Sequence, residues 1–154
     1  METSAKNNKA TGPSLCRRLK EAGVKPSLQR LAVLEHLCAR YDHPTADMIY
    51  AGLHASVPTL SKTTVYNTLR LFCEAGLACS LNLDAGNQRF DGQTHRHDHF
   101  ICRHCGRVFD VPAADAKAGS RAELPAGLRE FEVFRTEVSY FGLCADCKDE
   151  RNRE

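Results

Sequence analysis

The chain has 154 residues, of which 42% are hydrophobic and 26% are charged, with a net charge of +2 at pH 7. This length allows one domain or two small ones, and no stretch approaches the roughly 18–20 apolar residues of a membrane-spanning helix. The small net charge does not by itself indicate nucleic-acid binding, but residues 1–90 carry 11 Lys and Arg against 7 Asp and Glu, whereas residues 91–154 carry 10 against 12.

The first part of the chain predicts four helices with short connections. Hydroxyl residues that can accept a hydrogen bond from the first helical turn stand before each of them: Ser14, Ser27, Thr45 and Ser61. The first helix is predicted from Leu15 to Ala22 and ends at Gly23, a residue type common just past a helix end. Apolar residues at helical spacing, among them Leu28 in the second helix and Met48 in the third, are expected to face a core.

The fourth predicted helix runs from Lys62 to Ala75 and has two different faces. Val65, Leu69 and Phe72 recur at helical spacing and are expected to anchor it, whereas the outer face is polar. An exposed helix often carries such residues without any further role. Arg and Asn can nevertheless bind guanine and adenine edges, Thr methyl groups can contact thymine, and Lys can bind phosphate. The candidate DNA-binding residues are Lys62, Thr63, Thr64, Tyr66, Asn67 and Arg70.

A β-hairpin is predicted directly after this helix. Its strands are Leu77 to Leu83 and Gln88 to Asp91, joined by the turn residues Asp84 to Asn87. Two helices joined by a short turn form a helix-turn-helix, and a hairpin after the second one is typical of the wing of a winged helix. The sequence therefore favours DNA binding.

Four cysteines are spaced as ligands of a structural zinc ion, as two Cys-x-x-Cys pairs formed by Cys102, Cys105, Cys144 and Cys147. Disulfides are the alternative. The N-terminus has no apolar core of a signal peptide, so a cytoplasmic protein with reduced thiols is expected. The long interval between the pairs leaves room for a strand, a short helix and another strand. The remaining cysteines are expected to pack in the core: Cys16, Cys38, Cys73 and Cys79.

A second metal site is indicated just before the first cysteine pair. His97 and His99 alternate in a segment with strand character, so both imidazoles should lie on one face and can share an ion. Imidazole and carboxylate ligands suit iron, manganese or zinc, whereas thiolates hold zinc much more tightly. A permanent site beside an exchangeable one favours a metal sensor over a metal store.

Several of these segments together resemble the ferric uptake regulator family, from about residue 14 to residue 147. The matching stretches are 43–47 (His-Pro-Thr-Ala-Asp), 61–67 (Ser-Lys-Thr-Thr-Val-Tyr-Asn), 88–91 (Gln-Arg-Phe-Asp), 97–102 (His-Asp-His-Phe-Ile-Cys), 105–106 (Cys-Gly) and 142–147 (Gly-Leu-Cys-Ala-Asp-Cys). The resemblance implies an α+β fold: a winged helix-turn-helix domain (14–87), a hinge (88–96) and a small α/β dimerisation and metal-binding domain (97–148) with a structural zinc. Polar tails, 1–13 and 149–154, would flank them.

The resemblance also implies a regulatory site and partners. Its ligands would be His43, Asp91, His97, His99 and Asp110, drawn from both domains, so that a bound Fe(II) or Mn(II) ion fixes the angle between them. The protein would be a homodimer that binds a palindromic DNA operator when this site is filled. Two aspartates with three histidines, and Asn67 after Val-Tyr, are similar to the peroxide-responsive branch of the family. His95 and His104 match no family role, and residues 134–140 offer no His for an auxiliary metal site.

Three alternatives stay open at this point. An iron- or zinc-responsive uptake repressor of the same family would use similar ligands. Three His and two Asp could form a non-haem metalloenzyme centre, although the sequence offers no separate acid–base pair or Gly-rich loop for a substrate. A thiol-based redox switch would need reactive cysteines of low pKa, which zinc ligation would mask.

Overall fold

A computed structural model of the chain describes residues 12–40, 42–82, 88–95, 97–112, 125–133 and 136–151. The chain divides into two compact units, Met1–Thr94 and His95–Glu154. None of the helices in these described ranges is long and apolar enough to span a membrane.

Within its described residues, the first unit consists of four helices followed by a hairpin. The helices are α1 (Gly12–Glu21), α2 (Leu28–Cys38), α3 (Ala46–Leu53) and α4 (Lys62–Glu74). Three of the predicted caps are confirmed, because the hydroxyls of Ser27, Thr45 and Ser61 each accept a backbone N–H from three residues further on, at 3.1–3.2 Å. Gly23 and Gly76 follow α1 and α4 with φ of +72° and +70°, in the left-handed conformation that ends helices.

Two details of the predicted helices are wrong. The first helix begins at Gly12, so Ser14 lies inside it; the fixed φ of Pro13 suits a first helical turn. Leu28 and Met48 are 84% and 40% exposed. Leu28 lies on the opposite side of α2 from the buried Leu37, which follows nine residues or about 2.5 turns later. In α3 the core is contacted by Ile49, the residue after Met48.

The core of the first unit is apolar and is shared by all four helices. Val65, Leu69 and Phe72 of α4 are fully buried, as their spacing predicts. Burial of such side chains contributes about 1.5–3 kcal/mol each, and it holds α4 with its polar face outward. The other fully buried members are Leu15, Leu19, Val33, Leu34, Leu37 and Ile49.

The predicted hairpin is also present. Strand β1 (Cys79–Asn82) pairs antiparallel with β2 (Gln88–Asp91), with Cys79 opposite Asp91. The predicted turn, residues 84–87, lies outside the described residues. The second strand is tied to the segment before α3, because the Phe90 N–H donates to the Pro44 carbonyl at 3.0 Å and Thr45 forms an isolated bridge with Arg89.

In its described residues the second unit contains three strands, a short 3-10 turn and a helix. Strand β3 (Asp98–Cys102) lies between β4 (Val108–Val111), with which it is antiparallel, and β5 (Ser139–Gly142), with which it is parallel. The 3-10 turn covers Ala126–Leu128, and α5 (Ala145–Arg151) follows β5. A strand, a short helical turn and a strand thus separate the two cysteine pairs, as the spacing predicts, although residues 113–124 lie outside the described ranges.

Gly92 lies so close to α2 that a side chain there would make unusually tight contacts. A Cβ at this position would lie 3.1 Å from Cγ of Leu37 and 3.2 Å from its carbonyl carbon and oxygen. Because the carbonyl belongs to the helix backbone, it cannot move aside easily. Gly92 therefore fixes where the chain runs directly after Asp91.

Gly92→Ala is expected to destabilise the protein by about 1–3 kcal/mol, because an added methyl group must displace tightly packed atoms. Urea unfolding of the full chain, followed by circular dichroism, measures the cost. Gly127→Ala is the matched control, since a Cβ there meets nothing within 4 Å and the change should be neutral or slightly stabilising. Equal midpoints for the two variants would contradict the close approach at Gly92.

Candidate metal centres and DNA-binding face

The second unit brings the four paired cysteines together. The sulfur atoms of Cys102, Cys105, Cys144 and Cys147 lie within 4.8 Å of one another. The first pair lies at the end of β3 and in the turn after it, and the second lies after β5 and in the first turns of α5. The parallel pairing of β3 with β5, which places Cys102 opposite Gly142, brings the two distant pairs to one end of the sheet.

The turn after β3 is shaped to present sulfur atoms. Gly106 has φ of +70°, which costs glycine little, and its N–H donates to the Cys102 carbonyl at 2.9 Å. The Cys102 N–H in turn donates to the Arg107 carbonyl at 2.9 Å. Across the site, the Cys144 N–H donates to the Cys102 sulfur at 3.4 Å. Backbone hydrogen bonds thus hold the turn, and a backbone donor of the second pair faces the Cys102 sulfur.

Three of these thiols, those of Cys102, Cys105 and Cys147, have shifted pKa values. Hydrogen bonds from the backbone of Cys105 and Cys144 lower the pKa of Cys102 to about 6. The side chain of Arg107, which donates from Nε to the Cys105 sulfur at 3.3 Å, lowers the pKa of Cys105. Burial raises the pKa of Cys147 to about 12. The thiols of Cys102 and Cys105 therefore ionise readily. The buried thiol of Cys147 would need the positive charge of a bound dication to stabilise its thiolate.

These distances fit zinc and not disulfides. A zinc–sulfur bond of about 2.3 Å in a tetrahedron separates the sulfur atoms by about 3.8 Å, and the Cys105 and Cys144 sulfurs are 3.8 Å apart. A disulfide requires about 2.05 Å, and all eight cysteines, each of them among the described residues, are free thiols. The disulfide alternative is therefore wrong for this structure.

The second unit also holds an imidazole–carboxylate group. In the register of β3 and β4, His99 lies directly opposite Asp110. One carboxylate oxygen of Asp110, Oδ1, is 3.4 Å from Nε2 of His97 and 3.9 Å from Nε2 of His99. The side chains of both histidines are less than 10% exposed. The predicted alternation therefore does put both rings on one face, although His97 itself lies just before the strand.

The tautomer of His97 is fixed by its neighbour. Nδ1 of His97 lies 2.8 Å from the His95 carbonyl oxygen, which can only accept, so Nδ1 carries the proton. In the neutral imidazole this leaves the lone pair on Nε2, the atom that faces Asp110, and this is the arrangement found in metal-binding histidines. His95, which matches no family role, contributes its backbone carbonyl to the orientation of His97, and the two rings lie 5.1 Å apart between centres.

The first unit holds a smaller group of the same kind. His43 and Asp91 are 1% and 4% exposed, and Nε2 of His43 is 3.8 Å from Oδ2 of Asp91. The other oxygen, Oδ1, accepts the Gln93 N–H at 2.8 Å. His43 has φ of +49°, a left-handed conformation that is uncommon outside glycine. The Arg89 guanidinium donates to the His43 carbonyl at 3.1 Å and helps to hold it in this conformation.

The outer face of α4 is available to a partner. Lys62, Thr63, Tyr66, Asn67 and Arg70 are exposed, whereas Thr64 is half-buried and its hydroxyl lies 2.8 Å from that of Ser61. A cleft of about 480 Å³ between α4 and the hairpin is lined in part by Tyr66, Asn67 and Arg70. Both cationic side chains of this face have acidic neighbours. The Lys62 ammonium lies 2.7 Å from the Asp47 carboxylate, and the Arg70 guanidinium lies 3.8 Å from the Glu74 carboxylate.

Known proteins share this sequence and fold. Residues 21–140 match the ferric uptake regulator family, and the chain belongs to that family. The peroxide-responsive repressor PerR of Staphylococcus epidermidis is 36% identical over 136 residues, covering 87% of this chain and 88% of that protein. The ferric uptake regulator of Vibrio cholerae is 29% identical with a TM-score of 0.66, covering 84% of this chain and 98% of that one. The ferric uptake regulator of Pseudomonas aeruginosa, solved with manganese, is 27% identical with a TM-score of 0.67 over 84% of this chain and 96% of that one.

The family defines the class of the protein. Its members are metal-responsive transcriptional regulators, and the expected α+β fold is confirmed by the shared structures. The expected cofactors agree with the donor sets: thiolates suited to zinc, and imidazoles with carboxylates suited to iron or manganese. Membership of a family of regulators weighs against the metalloenzyme alternative.

Cys102→Ser is expected to abolish zinc binding and to unfold most of the second unit. Three thiolates leave one coordination position open, and structural zinc in small modules contributes on the order of 10 kcal/mol. Metal analysis by mass spectrometry and unfolding by circular dichroism measure both effects. The control is Cys16→Ser, a half-buried cysteine of α1, which should keep the zinc content of the unaltered chain. A zinc-containing, cooperatively folded Cys102→Ser protein would contradict the assignment of Cys102 as a ligand.

Proposed function

We propose that this chain is a metal-dependent transcriptional repressor that senses peroxide. The observation that carries the proposal is the group formed by His97, His99 and Asp110, in which a fixed tautomer directs Nε2 of His97 at the carboxylate. The name of the 36%-identical Staphylococcus epidermidis protein, a peroxide-responsive repressor, favours the same signal. The protein would act in the cytoplasm as a homodimer on a palindromic operator.

In this proposal the chain holds two kinds of metal ion. Zinc occupies the four cysteines permanently and stabilises the second unit. Fe(II) or Mn(II) is bound exchangeably by His43 and Asp91 of the first unit together with His97, His99 and Asp110 of the second. Nitrogen and oxygen ligands without a thiolate favour these borderline and hard ions.

A ligand set drawn from both units would couple metal binding to DNA binding. The recognition helices of a dimer must lie about one DNA turn apart, roughly 34–36 Å, to enter successive major grooves. With α4 as the recognition helix, binding of the ion would fix the angle between units and hence this spacing. Converting a mostly incompetent population to a mostly competent one takes about 5.5 kcal/mol of differential metal affinity, which one site with several ligands can supply.

Peroxide would relieve repression by altering a ligand. Fe(II) held by these histidines and aspartates would catalyse oxidation of its own ligands by hydrogen peroxide, and would not be consumed in the net reaction. A ring carbon of His43 or His97 would lose its hydrogen and gain one oxygen atom, and the other oxygen of the peroxide would leave as water, so that one peroxide is reduced for each ring oxidised. The oxidised ring is a poorer donor, so the site loses affinity for the ion and the DNA-competent arrangement is lost.

Substitutions on α4 test DNA recognition. Arg70→Ala should weaken operator binding by about 1–3 kcal/mol and relax sequence preference, because a base-contacting guanidinium is lost. Tyr66→Phe should also weaken binding. Lys62→Ala should mainly reduce the dependence on salt, by about 0.9 in the slope of log K against log salt concentration for one phosphate contact. Fluorescence anisotropy with labelled operator, at several salt concentrations, measures all three.

The control is Arg151→Ala, which removes the same charge from exposed α5 in the second unit. It should bind operator nearly as tightly as the unaltered chain, and metal content should be unchanged in every variant. If the three α4 variants behave like Arg151→Ala, a different face of the first unit binds DNA.

Peroxide should release the Fe(II)-loaded protein from operator and add one oxygen atom to peptides that contain His43 or His97. Mn(II) should support operator binding but leave the protein insensitive, because it does not promote this oxidation under mild conditions. Anisotropy before and after brief peroxide treatment, with peptide mass spectrometry on the same samples, measures both effects. If the iron form stays on its operator, or if peroxide modifies only cysteines, the peroxide assignment fails and an iron- or zinc-responsive uptake repressor becomes the better interpretation.

A further inference from the structure

The Arg107 side chain makes three polar contacts at the four-cysteine site, and the pattern of Cys-x-x-Cys pairs did not indicate them. Its Nε donates to the Cys105 sulfur at 3.3 Å, and its Nη2 donates to the Cys144 sulfur at 3.3 Å. The same Nη2 lies 2.5 Å from Oδ2 of Asp146. The guanidinium thus joins one sulfur from each cysteine pair.

Three features of the chain aim the guanidinium at the sulfurs. The Arg107 carbonyl accepts the Cys102 N–H, which fixes the backbone beside the site. The guanidinium carbon lies 5.5 Å from the centre of the Phe109 ring, a distance that allows a cation–π interaction. Asp146, between the two cysteines of the second pair in the sequence, receives the remaining hydrogen bond. This arrangement holds the planar group in one orientation.

The charge of the site explains what such a group does. Four thiolates around a zinc dication leave an excess of two negative charges, which resides mainly on sulfur. Hydrogen bonds from a cation withdraw electron density from the sulfurs that accept them. A sulfur with less electron density is a weaker nucleophile towards electrophiles and oxidants.

We infer that Arg107 is a positioning residue that clamps Cys105 and Cys144 onto the zinc ion and protects these thiolates from oxidants and electrophiles. This inference goes beyond the proposed function, because it concerns the permanent zinc centre and not the regulatory ion. Its consequence is selectivity: peroxide that reaches the protein would act at the histidine ligands before it attacks the zinc thiolates.

The rate of zinc loss from the full-length, zinc-loaded protein tests the inference. Zinc released by excess N-ethylmaleimide, or by hydrogen peroxide with no iron present, is followed with a chromogenic chelator. Arg107→Gln should release zinc on the order of ten-fold faster than the unaltered chain, as is typical when a group that supports metal ligands is lost. Asp146→Asn, which leaves Arg107 in place but loosens it, should accelerate release less.

Two further variants test whether zinc retention requires the planar guanidinium of Arg107 itself, and not only a positive charge or any arginine of this turn. Arg107→Lys keeps the charge but cannot reach two sulfurs with a planar fork, so its rate should fall between those of Arg and Gln. Arg103→Gln removes another arginine of the same turn, whose guanidinium lies 4.6 Å from the centre of the Phe141 ring, and should release zinc at the unaltered rate. Full rescue by Lys would overturn the role of the fork, and equal rates for Arg107→Gln and Arg103→Gln would overturn the inference.

A spectroscopic measurement distinguishes protection of sulfur from a general loosening of the loop. With Co(II) in place of zinc, the sulfur-to-cobalt charge-transfer band should move to lower energy in Arg107→Gln and stay in place in Arg103→Gln. The visible bands that report four-sulfur tetrahedral geometry should be unchanged in both. If Arg107→Gln does not fold, the inference is tested by the cobalt spectra and zinc-release rates of Asp146→Asn and Arg107→Lys. Spectra and rates equal to those of the unaltered chain would overturn it.

Discussion

The register of strand β3 is the constraint on which both candidate metal-ligand groups of the second unit depend. On one side, antiparallel pairing with β4 sets His99 opposite Asp110. On the other side, parallel pairing with β5 sets Cys102 opposite Gly142, two residues before Cys144. Because side chains alternate along a strand, a slip of one residue would turn His99 away from Asp110 and would also displace Cys102. One strand therefore aligns an imidazole–carboxylate group and a thiolate group at the same time.

The first unit positions its two candidate ligands, His43 and Asp91, in a different way. His43 is not on a helix or a strand but in the segment before α3, where it adopts a left-handed conformation. Such a conformation costs a non-glycine residue on the order of 1–2 kcal/mol. Hydrogen bonds and a bridge to β2 hold this segment in place, and Asp91 ends the same strand. The wing hairpin thus serves both the DNA-binding fold and the position of a metal-ligand candidate.

Local sequence signals predicted most of the elements. The caps at Ser27, Thr45 and Ser61 could be read from residue type and position, because a hydroxyl satisfies N–H groups that the helix itself leaves open. The hairpin followed from its turn residues, and the four-cysteine group from spacing. The exposure of Leu28 is consistent with its spacing of about 2.5 turns from Leu37, which the broad apolar stripe of the prediction ignored. The exposure of Met48 could not be predicted, since helical periodicity fixes which residues share a face but not which face the neighbouring helices cover.

The contacts between residues far apart in the chain could not be predicted from the sequence. Arg107 stands two residues after Cys105, a position that indicates nothing about Cys144 or Asp146 until β3 and β5 are paired. The tautomer of His97 depends on a backbone carbonyl of His95, which no residue pattern records. The dimerisation role expected for residues 97–148 stays a prediction, and residues 113–124 of that segment lie outside the described part of the chain.

The sulfur site has one more consequence, which concerns the long stretch of chain between its two cysteine pairs. An ion that joins Cys105 to Cys144 closes a loop whose entropic cost rises only with the logarithm of its length, about 0.6 kcal/mol for each doubling. Insertions or deletions between β4 and β5 would therefore change the free energy of loop closure very little, as long as both strands still reach β3. For zinc binding, the length of that interval therefore matters less than the register of β3, which brings the two cysteine pairs together.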